Sequence, residues 1–537
     1  MIGVAASSDD LCVAQEFFEL FKTPWEPAVP TRKYQIVLNT DGCFENFDAE
    51  RFLVYSSGEV ATDRGAGATA ERVDGPIDLE WDEVRFPIFG SVALFDGGVS
   101  AGTLTSRGKA VDFGCATGDR AVRRIGYDLF AEVRHLLTEG QPVSRALTPT
   151  LELHIALLRL LLLESGVSFV EIPPRPDGYD FMCCLTHDVD FYGIRRHTGD
   201  RTLAGFVARA SLGTLADLAR GRRPLTDAIR NVAALLSLPL VFLGLARDFW
   251  RPFEDYARVE DGRQSTFFLV PFKGRPGAAP NGTIEPTRAV PYQVSEIREE
   301  ATQAAKRGSE LAVHGIDAWR DADAGRAEMN QLTSLTGRTT AGVRMHWLYF
   351  EADSPRRLEA AGFDYDSTWG YNDAVGYRAG TSQVFRLLAS ENLMELPLSV
   401  MDTALFYGRR MGLARKEALQ LCVGIVANAK RFAGTLVINW HDRSLAPERL
   451  WDSFYRNLLE EVVRGNRVWF TTAHEAVDWF RWRRSIRFSD DTQSNIVTII
   501  ASVPGATAPA GVLQCHRPAS GVELHRLDGH MPMRVAL

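Results

Sequence analysis

The chain has 537 residues, of which 45% are hydrophobic and 24% charged, and its formal net charge is −8 at pH 7. These values are typical of a soluble globular protein of about two to four domains, and they exclude a disordered or fibrous chain. The sequence has no basic excess, so nucleic acid is not expected as a partner.

The cysteines indicate the compartment. Seven of them are scattered at positions 12, 43, 115, 183, 184, 422 and 515. Their spacing matches neither a disulfide framework nor a Cys-x-x-Cys metal pattern, so it favours a reducing compartment. The first 25 residues carry acids before any apolar run and have no basic segment. No secretory signal is therefore predicted, and we expect the protein in the cytoplasm.

Residues 1–175 are predicted to form a mixed α+β accessory domain. A Gly- and Asp-rich middle is followed by β-like runs such as EVRFPIFGSVALF and by the helical run ALTPTLELHIALLRLLLLESG. The sequence EIPPRPDG then marks a boundary, because Pro-Pro and Asp-Gly break regular structure.

Residues 176–485 alternate between apolar strand-like runs and segments of helical periodicity. The runs are FMCCLTHD, STFFLVPF, ELAVHG, TAGVRMHWL, FDYDSTWG, LMELPLSV, TLVINWH and RVWFTTA. This alternation predicts an α/β fold with a parallel sheet, most simply a (β/α) barrel. A helical insertion, 197–260, follows the first strand. Residues 486–537, rich in Gly, Pro and Val, are predicted to form a small C-terminal β module.

The insertion contains a charge-free stretch of 15 residues, 232–246. It is shorter than the roughly 18 residues that span a bilayer, and Pro239 interrupts it. One interpretation is a buried hairpin or core helix. The other is an interfacial anchor, because the preceding ARGRRPLTDAIR is basic, as in a helix lying on an anionic leaflet. The second would give residues 201–248 a peripheral contact with the inner face of the membrane.

Two acids end the first apolar strand in the sequence CCLTHDVD. Asp188 and Asp190 are two residues apart, so in extended backbone both carboxylates face one side and His187 faces the other. Two buried acids on one side repel each other unless a cation or an arginine lies between them.

Later strands also end in polar side chains. They are His314 after ELAV, Arg344 and His346 after TAGV, Asp366 and Trp369 in FDYDSTWG, and Asn439 and His441 after TLVI. Each has an ordinary structural explanation alone, such as a helix cap or a core histidine. Chemistry in parallel barrels collects at the carboxyl ends of strands, so their joint placement favours a site.

The ordered series THDVD, ELAVHGIDAW, GVRMHWL, DYDSTWGYN and LVINWH resembles the motifs of the polysaccharide deacetylase family, the NodB-like carbohydrate esterases of family 4. The match covers roughly residues 180–480. The resemblance implies a distorted (β/α) barrel of that type and a divalent metal, most often Zn²⁺. It also implies hydrolysis of an N-acetyl group on a sugar or on a carrier-linked glycan.

The resemblance also implies roles for single residues. Asp188 matches the catalytic base, Arg344 the arginine that orients this base, and His441 the general acid. Asp190 and His314 match metal ligands. Asp366 and Trp369 match the fourth motif and, with His346 and Trp440, are expected at the substrate.

The sequence departs from the family pattern in the first two motifs and after the arginine. Val189 separates two aspartates that are usually adjacent, and Ala318 stands where a second metal histidine is usual. Asp317 is our predicted third ligand, with His346 or water as alternatives, or a metal bound weakly or not at all. The proline common after the arginine is also missing.

Two other functions stay open at this point. A metal-free glycan-binding protein would use aromatic side chains as stacking platforms, here Trp319, Trp347, Trp369, Tyr371 and Trp440. A related barrel would hydrolyse another linear or cyclic amide. For His474 we predict the start of a helix, and for Glu395 either a place in the groove or a structural salt bridge.

Overall fold

The computed structural model describes residues 1–40, 42, 45–97, 102–221, 223–491, 496–500, 508–518, 521–527 and 532–537. The chain divides into two compact units. Unit 1 consists of Met1–Gly178, Tyr377–Leu388 and Asp478–Leu537, and unit 2 of Tyr179–Gly376 and Ala389–Val477.

Unit 2 is built on a parallel sheet whose strands we label in chain order. They are β1 (Phe181–Val189), β2 (Ser265–Leu269), β3 (Glu310–Gly315), β4 (Val343–Met345), β5 (Tyr365–Asp366), β6 (Met394–Glu395), β7 (Val400–Met401), β8 (Thr435–Asn439) and β9 (Val468–Phe470). All nine residues of β1 are buried, which explains its continuous apolar sequence, since a strand covered on both faces needs no polar side.

The strands of unit 2 follow the order β6-β5-β4-β3-β2-β1-β8-β7, and β9 pairs with β1. Each of these pairings in the described residues is parallel. The α/β class and the parallel sheet agree with the prediction. The sheet is a curled half-barrel, in which no pairing among the described strands joins β6 to β7.

Helices connect these strands. They are Pro252–Val259, Arg298–Lys306, Ala322–Thr336, Ser354–Ala361, Asp402–Phe406, Arg415–Phe432 and Asp452–Val463, with Ala473–Ser485 following β9. Parallel strands need such crossover connections, so their carboxyl ends all meet at one edge of the sheet.

The insertion after β1 is helical. It contains Arg201–Ala208, a π-helical turn at Arg209–Gly213, Thr214–Ala219 and Leu225–Phe242. The last of these is one continuous helix through Pro239, and only 28% of it is buried. The buried-hairpin interpretation of residues 232–246 is therefore wrong. By length and composition this helix is also long and apolar enough to cross a membrane.

In the described part of unit 1 before residue 178 there are four α-helices, a 3-10 helix at Val143–Arg145 and several sheets. The helices are Ser8–Phe21, Ala61–Gly65, Leu129–Thr138 and Thr150–Glu164. A six-stranded mixed sheet has the order Asp112–Thr117, Arg120–Ile125, Arg51–Tyr55, Ile36–Asn39, Ile2–Ala5, Trp25–Pro27, and short strands Lys33–Tyr34 and Asp48–Ala49 pair beside each other. A second six-stranded sheet has the order Thr69–Val73, Val92–Asp96, Lys109–Ala110, Thr105–Ser106, Ile77–Trp81, Val84–Ile88.

The described part of the C-terminal region is β-structure, but it is grouped with the N-terminal region in unit 1 instead of standing apart. Phe169–Glu171 pairs antiparallel with Gly511–Arg517, which pairs with Gly521–Leu527. Arg487–Asp491, Ile496–Ile500 and Met533–Ala536 form another antiparallel sheet. Unit 1 also takes in Tyr377–Leu388, with the short strand Phe385–Arg386. The strands Phe169–Glu171 and Gly511–Arg517 are more than 300 residues apart in sequence. Their pairing leaves no local sequence signal, so the predicted division into three parts does not contain it.

Six of the seven cysteines are free thiols in this structure. Cys43 lies outside the described residues, as do parts of the predicted C-terminal module.

Candidate active site

The predicted polar residues of β1, β3, β4 and β8 converge at one edge of the sheet. Asp188, Asp190, His314, His346 and His441 line one cavity of about 250 Å³. The strand register explains this meeting, because neighbouring parallel strands end together at the same edge. The interval of one residue between the two aspartates aims both carboxylates at the cavity.

Asp190, His314 and His346 form a candidate metal centre. Nε2 of His314 and Nε2 of His346 lie 3.4 and 3.5 Å from Oδ1 of Asp190. One ligand atom from each residue lies within 4.8 Å of the other two. This Oδ1 is buried and has no hydrogen bond of good geometry among the described residues, so a buried carboxylate oxygen faces two imidazole nitrogens at 3.4 and 3.5 Å. A divalent cation satisfies all three groups.

Both imidazoles present Nε2 to the candidate metal centre. Nδ1 of His314 lies 2.9 Å from the carbonyl oxygen of Arg344. A carbonyl only accepts hydrogen bonds, so Nδ1 is the donor here and Nε2 is the ring nitrogen that faces the cavity. Burial lowers the pKa of His346 to about 3, so its imidazole is uncharged at neutral pH. The carbonyl oxygen of His346 accepts a hydrogen bond from Nη2 of Arg288 at 2.9 Å.

Asp188 is held as a carboxylate beside the metal centre. Its Oδ1 accepts a hydrogen bond from Nη1 of Arg344 at 3.0 Å, and its Oδ2 accepts one from Nδ2 of Asn439 at 2.7 Å. Burial alone would raise the pKa of Asp188, but the charges of Arg344 and the neighbouring imidazoles hold this pKa below its ordinary value. Oδ2 also lies 4.0 Å from Nε2 of His314.

Arg344 is fully buried and has a fixed position. It donates to Oγ1 of Thr186 at 2.9 Å, and to the carbonyl oxygen and Oγ of Ser367 at 3.0 and 2.9 Å. Its guanidinium carbon lies 4.2 Å from the ring centroid of Phe268. The structure therefore places Arg344 where the sequence predicts it, as the partner that orients Asp188.

His441 faces the same cavity from β8. Its Nε2 lies 4.0 Å from Oδ2 of Asp190, and its Nδ1 lies 2.6 Å from Oδ1 of Asp402. Asp402 also accepts hydrogen bonds from the backbone N–H of His441 and the hydroxyl of Ser444. Burial alone would lower the pKa of His441, but the charge of Asp402 and its hydrogen bond raise that pKa to about 10. The imidazole is thus held in its protonated form.

Sequence reasoning missed Asp402. It follows β7, a strand of only two residues, in the run LPLSVMDTALF. The signal was an acid directly after an apolar strand-like run, the same signal that marks Asp188. Its partner His441 lies at the end of the next strand in the sheet, because β7 pairs with β8.

Aromatic and basic side chains both line the cavity. Trp347 is 36% exposed at its wall, in a backbone conformation with φ of 65° that an L-residue rarely adopts. Tyr407, Arg410, Arg443 and Arg449 line it as well. Of the five aromatic residues proposed as stacking platforms, only Trp347 lines this cavity.

Asp317 is not brought to the metal centre. Its carboxylate accepts a hydrogen bond from the backbone N–H of Ala278 at 3.0 Å, and its own N–H donates to Glu328 at 2.7 Å. It lies in the loop after β3, where the side chain turns toward 276–278 instead of continuing the line of His314. The prediction that Asp317 joins the metal centre is therefore wrong in its placement, and His346 lies at the candidate centre instead.

Asp366 and Trp369 are buried away from the cavity. Asp366 accepts hydrogen bonds from the N–H and hydroxyl of Thr368 at 3.1 and 2.5 Å. The N–H of Trp369 donates to Glu395 at 2.9 Å, and the indole ring is 2% exposed. These residues hold the loop after β5 and do not reach a substrate in the cavity.

Trp440 is also a core residue. Its ring stacks on Tyr455 at 4.9 Å and on Phe454 at 5.8 Å between centroids, and it is fully buried. It lies between Asn439 and His441, so the alternation of an extended chain turns it away from the site and toward the helices. The predicted role of Trp440 in substrate binding is wrong.

We expect Trp440→Ala to destabilise the protein by about 3–5 kcal/mol, because it removes a large buried aromatic ring. Trp347→Ala is the matched control, since it removes the same ring at the exposed cavity wall and should change stability by less than about 0.5 kcal/mol. Thermal unfolding checks both variants. Equal midpoints for the two would contradict these placements.

Three further residues have structural contacts. His187 faces away from Asp188, with Nε2 2.9 Å from Oε1 of Glu260. His474 lies at the start of Ala473–Ser485, and its Nδ1 is 2.8 Å from Oδ2 of Asp364. His187, His474 and Glu395 do not line the cavity.

The chain matches no model of a known protein family and no curated protein. Among solved structures it is similar to Agd3, a carbohydrate deacetylase, with 10% identity and a TM-score of 0.38 over 99% of this chain and 97% of that one. It is similar to the allantoinase Puue, with 14% identity and a TM-score of 0.35 over 58% and 92% of the two chains.

A third similar structure is PdaC, a peptidoglycan deacetylase from Bacillus subtilis, with 10% identity and a TM-score of 0.25 over 58% and 96% of the two chains. Polysaccharide deacetylases are thus among the solved structures that this chain resembles, and they are also the family that its ordered motifs resemble. TM-scores and identities this low assign neither fold nor activity.

Proposed function

We propose that this protein is a metal-dependent hydrolase that removes an N-acetyl group from a sugar or glycan precursor. The observation that carries the proposal is the convergence of three kinds of group in one cavity. These are the Asp190–His314–His346 centre, the ionised Asp188 and the protonated His441, and the nearest atoms of neighbouring groups lie 4.0 Å or less apart.

The donor set fits a divalent ion, with zinc favoured by two imidazoles and one carboxylate. Three protein ligands leave an open coordination position, as in catalytic zinc sites. Held there, such an ion supplies Lewis acidity, which polarises a carbonyl group and makes water a stronger acid.

Asp188 and His441 have complementary roles in amide hydrolysis. Asp188 accepts a proton from water as the water oxygen forms a bond to the acetyl carbon. His441 then gives its proton to the sugar nitrogen as the C–N bond breaks, so acetate and a free amine leave. Arg344 and Asn439 keep Asp188 ionised and aimed, and Asp402 does the same for His441 in its protonated form.

The walls of the cavity suggest how a glycan is held. Trp347 offers a ring face for stacking against a sugar, and the arginines of the cavity wall suit a substrate with an anionic group. The odd and scattered cysteines support a cytoplasmic location.

The direct test is product analysis with the zinc-loaded protein on N-acetylated amino sugars, both free and phosphate-linked. We expect one acetate for each free amine formed, and no turnover by Asp188→Asn. Amine formation from a cyclic or non-sugar amide without acetate would change the substrate class. Sugar binding that is indifferent to a chelator, without any hydrolysis, would refute the hydrolase and leave a glycan-binding protein.

A further inference from the structure

An exposed row of large apolar side chains follows the insertion helix Leu225–Phe242. Successive members are four, three, four, four and three residues apart, so they share one face of the helix. Their exposure is 47–77%, whereas a helix face in a soluble protein is expected to bury such residues. We call the following residues the apolar stripe: Leu225, Ile229, Val232, Leu236, Leu240 and Leu243.

The opposite face of this helix is anchored, so the stripe is not a core face turned outward. Asn231 is fully buried: its Nδ2 donates to Thr214 at 2.8 Å and its Oδ1 accepts from the N–H of Glu448 at 2.7 Å. Ala234 and Val241 pack in a cluster with Trp250. The helix therefore has two apolar sides. One packs against the rest of unit 2, and the other is in contact with solvent.

The apolar surface extends beyond the stripe. Leu245 follows the helix and is 76% exposed. Leu212 and Leu215 on the preceding helical segments are 72% and 64% exposed. Contiguous exposed apolar surface of this kind marks an interaction site.

The charge of the insertion identifies the partner. Residues 201–247 contain seven arginines and two aspartates, with neither lysine nor glutamate, in a chain whose formal net charge is −8. Arg220 and Arg230 precede the charge-free stretch 231–246 in sequence, Arg247 follows it, and all three are exposed. Arg230 and Arg247 also pair with Asp452 and Asp255 at 3.2 and 2.7 Å. An apolar face bordered by arginines is complementary to an anionic lipid surface.

We propose that the insertion docks unit 2 on an anionic membrane surface, with the apolar stripe at the boundary of headgroups and acyl chains and the arginines at the lipid phosphates. The helix lies along the surface instead of crossing it, because its anchored face is fixed to the protein by Asn231 and by the pair of Asp227 with Arg415 at 2.9 Å. A second copy of the chain is a poorer occupant, since stripe-to-stripe packing would bring two arginine-rich borders together.

The insertion also reaches toward the active site. A cavity of about 310 Å³ is lined by Arg209 and Arg223 of the insertion and by Tyr407, Arg443 and Arg449. The last three also line the active-site cavity. This step rests on the proposed function: docking would place these arginines, which lead to the active site, close to the membrane surface. Such an arrangement suits an acylated amino sugar that is joined to a lipid through phosphate.

Flotation of the full-length protein with vesicles tests the docking separately from catalysis. The protein should float with vesicles of phosphatidylcholine and phosphatidylglycerol. Markedly less protein should float with vesicles of phosphatidylcholine alone, or with the mixed vesicles at high salt. The triple variant Ile229→Gln, Leu236→Gln and Leu243→Gln should reduce the bound fraction about tenfold. These side chains are exposed, so thermal midpoint and zinc content should stay unchanged.

The matched control places the same changes on exposed apolar residues elsewhere in unit 2, as Ile284→Gln, Val423→Gln and Val463→Gln. This control should float like the unsubstituted protein. Absence of flotation with anionic vesicles, or equal loss in the control, would overturn the proposal. So would a dimer in solution that the stripe variant converts to a monomer without any vesicle binding. Acetate release from a soluble substrate is measured in parallel, so failure of docking and failure of the hydrolase give different results.

Discussion

His346→Ala should abolish stoichiometric zinc binding and, with it, amide hydrolysis. The change removes one of three side chains that face the same buried oxygen of Asp190. Loss of an outer partner of a metal ligand typically lowers metal affinity about 10–100-fold, and loss of a ligand itself should exceed that. Titration with zinc in the presence of a competing chelator measures the effect.

Asp317→Asn is the matched control for this variant. Its amide oxygen can still accept the hydrogen bond from Ala278, so the loop should stay in place and zinc affinity should change only slightly. Zinc bound normally by His346→Ala and lost by Asp317→Asn would show that the third ligand was assigned to the wrong residue.

Asp402→Asn should lower kcat about 10²–10⁴-fold with a small change in KM, because Asp402 is hydrogen-bonded to the acid His441 and does not itself line the cavity. The amide keeps the shape but removes the charge that raises the pKa of His441 to about 10. His441 would then lose its proton at lower pH. The alkaline limb of the pH–rate profile should therefore shift to lower pH relative to the unsubstituted enzyme.

Ser444→Ala provides the comparison for Asp402→Asn. It removes one hydrogen bond to Asp402 and leaves the carboxylate charge next to His441. We expect a loss of less than about tenfold and no clear shift of the alkaline limb. A purely structural role of Asp402 would instead lower the thermal midpoint and leave the pH profile of the folded enzyme unchanged.

The residues that the sequence brought to one site belong to β1, β3, β4 and β8, of which all but β4 have five residues or more. Asp188, Asp190, His314, Arg344 and His441 follow apolar runs whose alternation fixes the side that each side chain faces. Parallel strands end at one edge, so residues from distant parts of the chain meet without any further information.

The wrong or missing site residues lie where the alternation of side chains along a strand stops, or where the prediction did not apply it. Asp317 lies beyond the end of β3, in a loop whose direction depends on its contact with Ala278. Asp402 follows a strand of two residues, too short to give a periodic pattern. Trp440 is adjacent to His441 and must face the opposite side of the strand, which the alternation already implied.

The exposed side of the insertion helix shows a different limit. Apolar residues occur on both of its faces, so composition alone does not decide between burial and surface contact. Only the anchoring of Asn231 and Val241 settles which face is inward. Similarly, the pairing of Phe169–Glu171 with Gly511–Arg517 depends on long-range register, for which the sequence has no local pattern.

Anomalous diffraction at the zinc edge from crystals grown with zinc tests the metal centre most directly. The account predicts one strong peak within about 2.0–2.2 Å of a carboxylate oxygen of Asp190 and of Nε2 of both His314 and His346. A peak bound by other residues, or none at this cavity in zinc-saturated crystals, would contradict it.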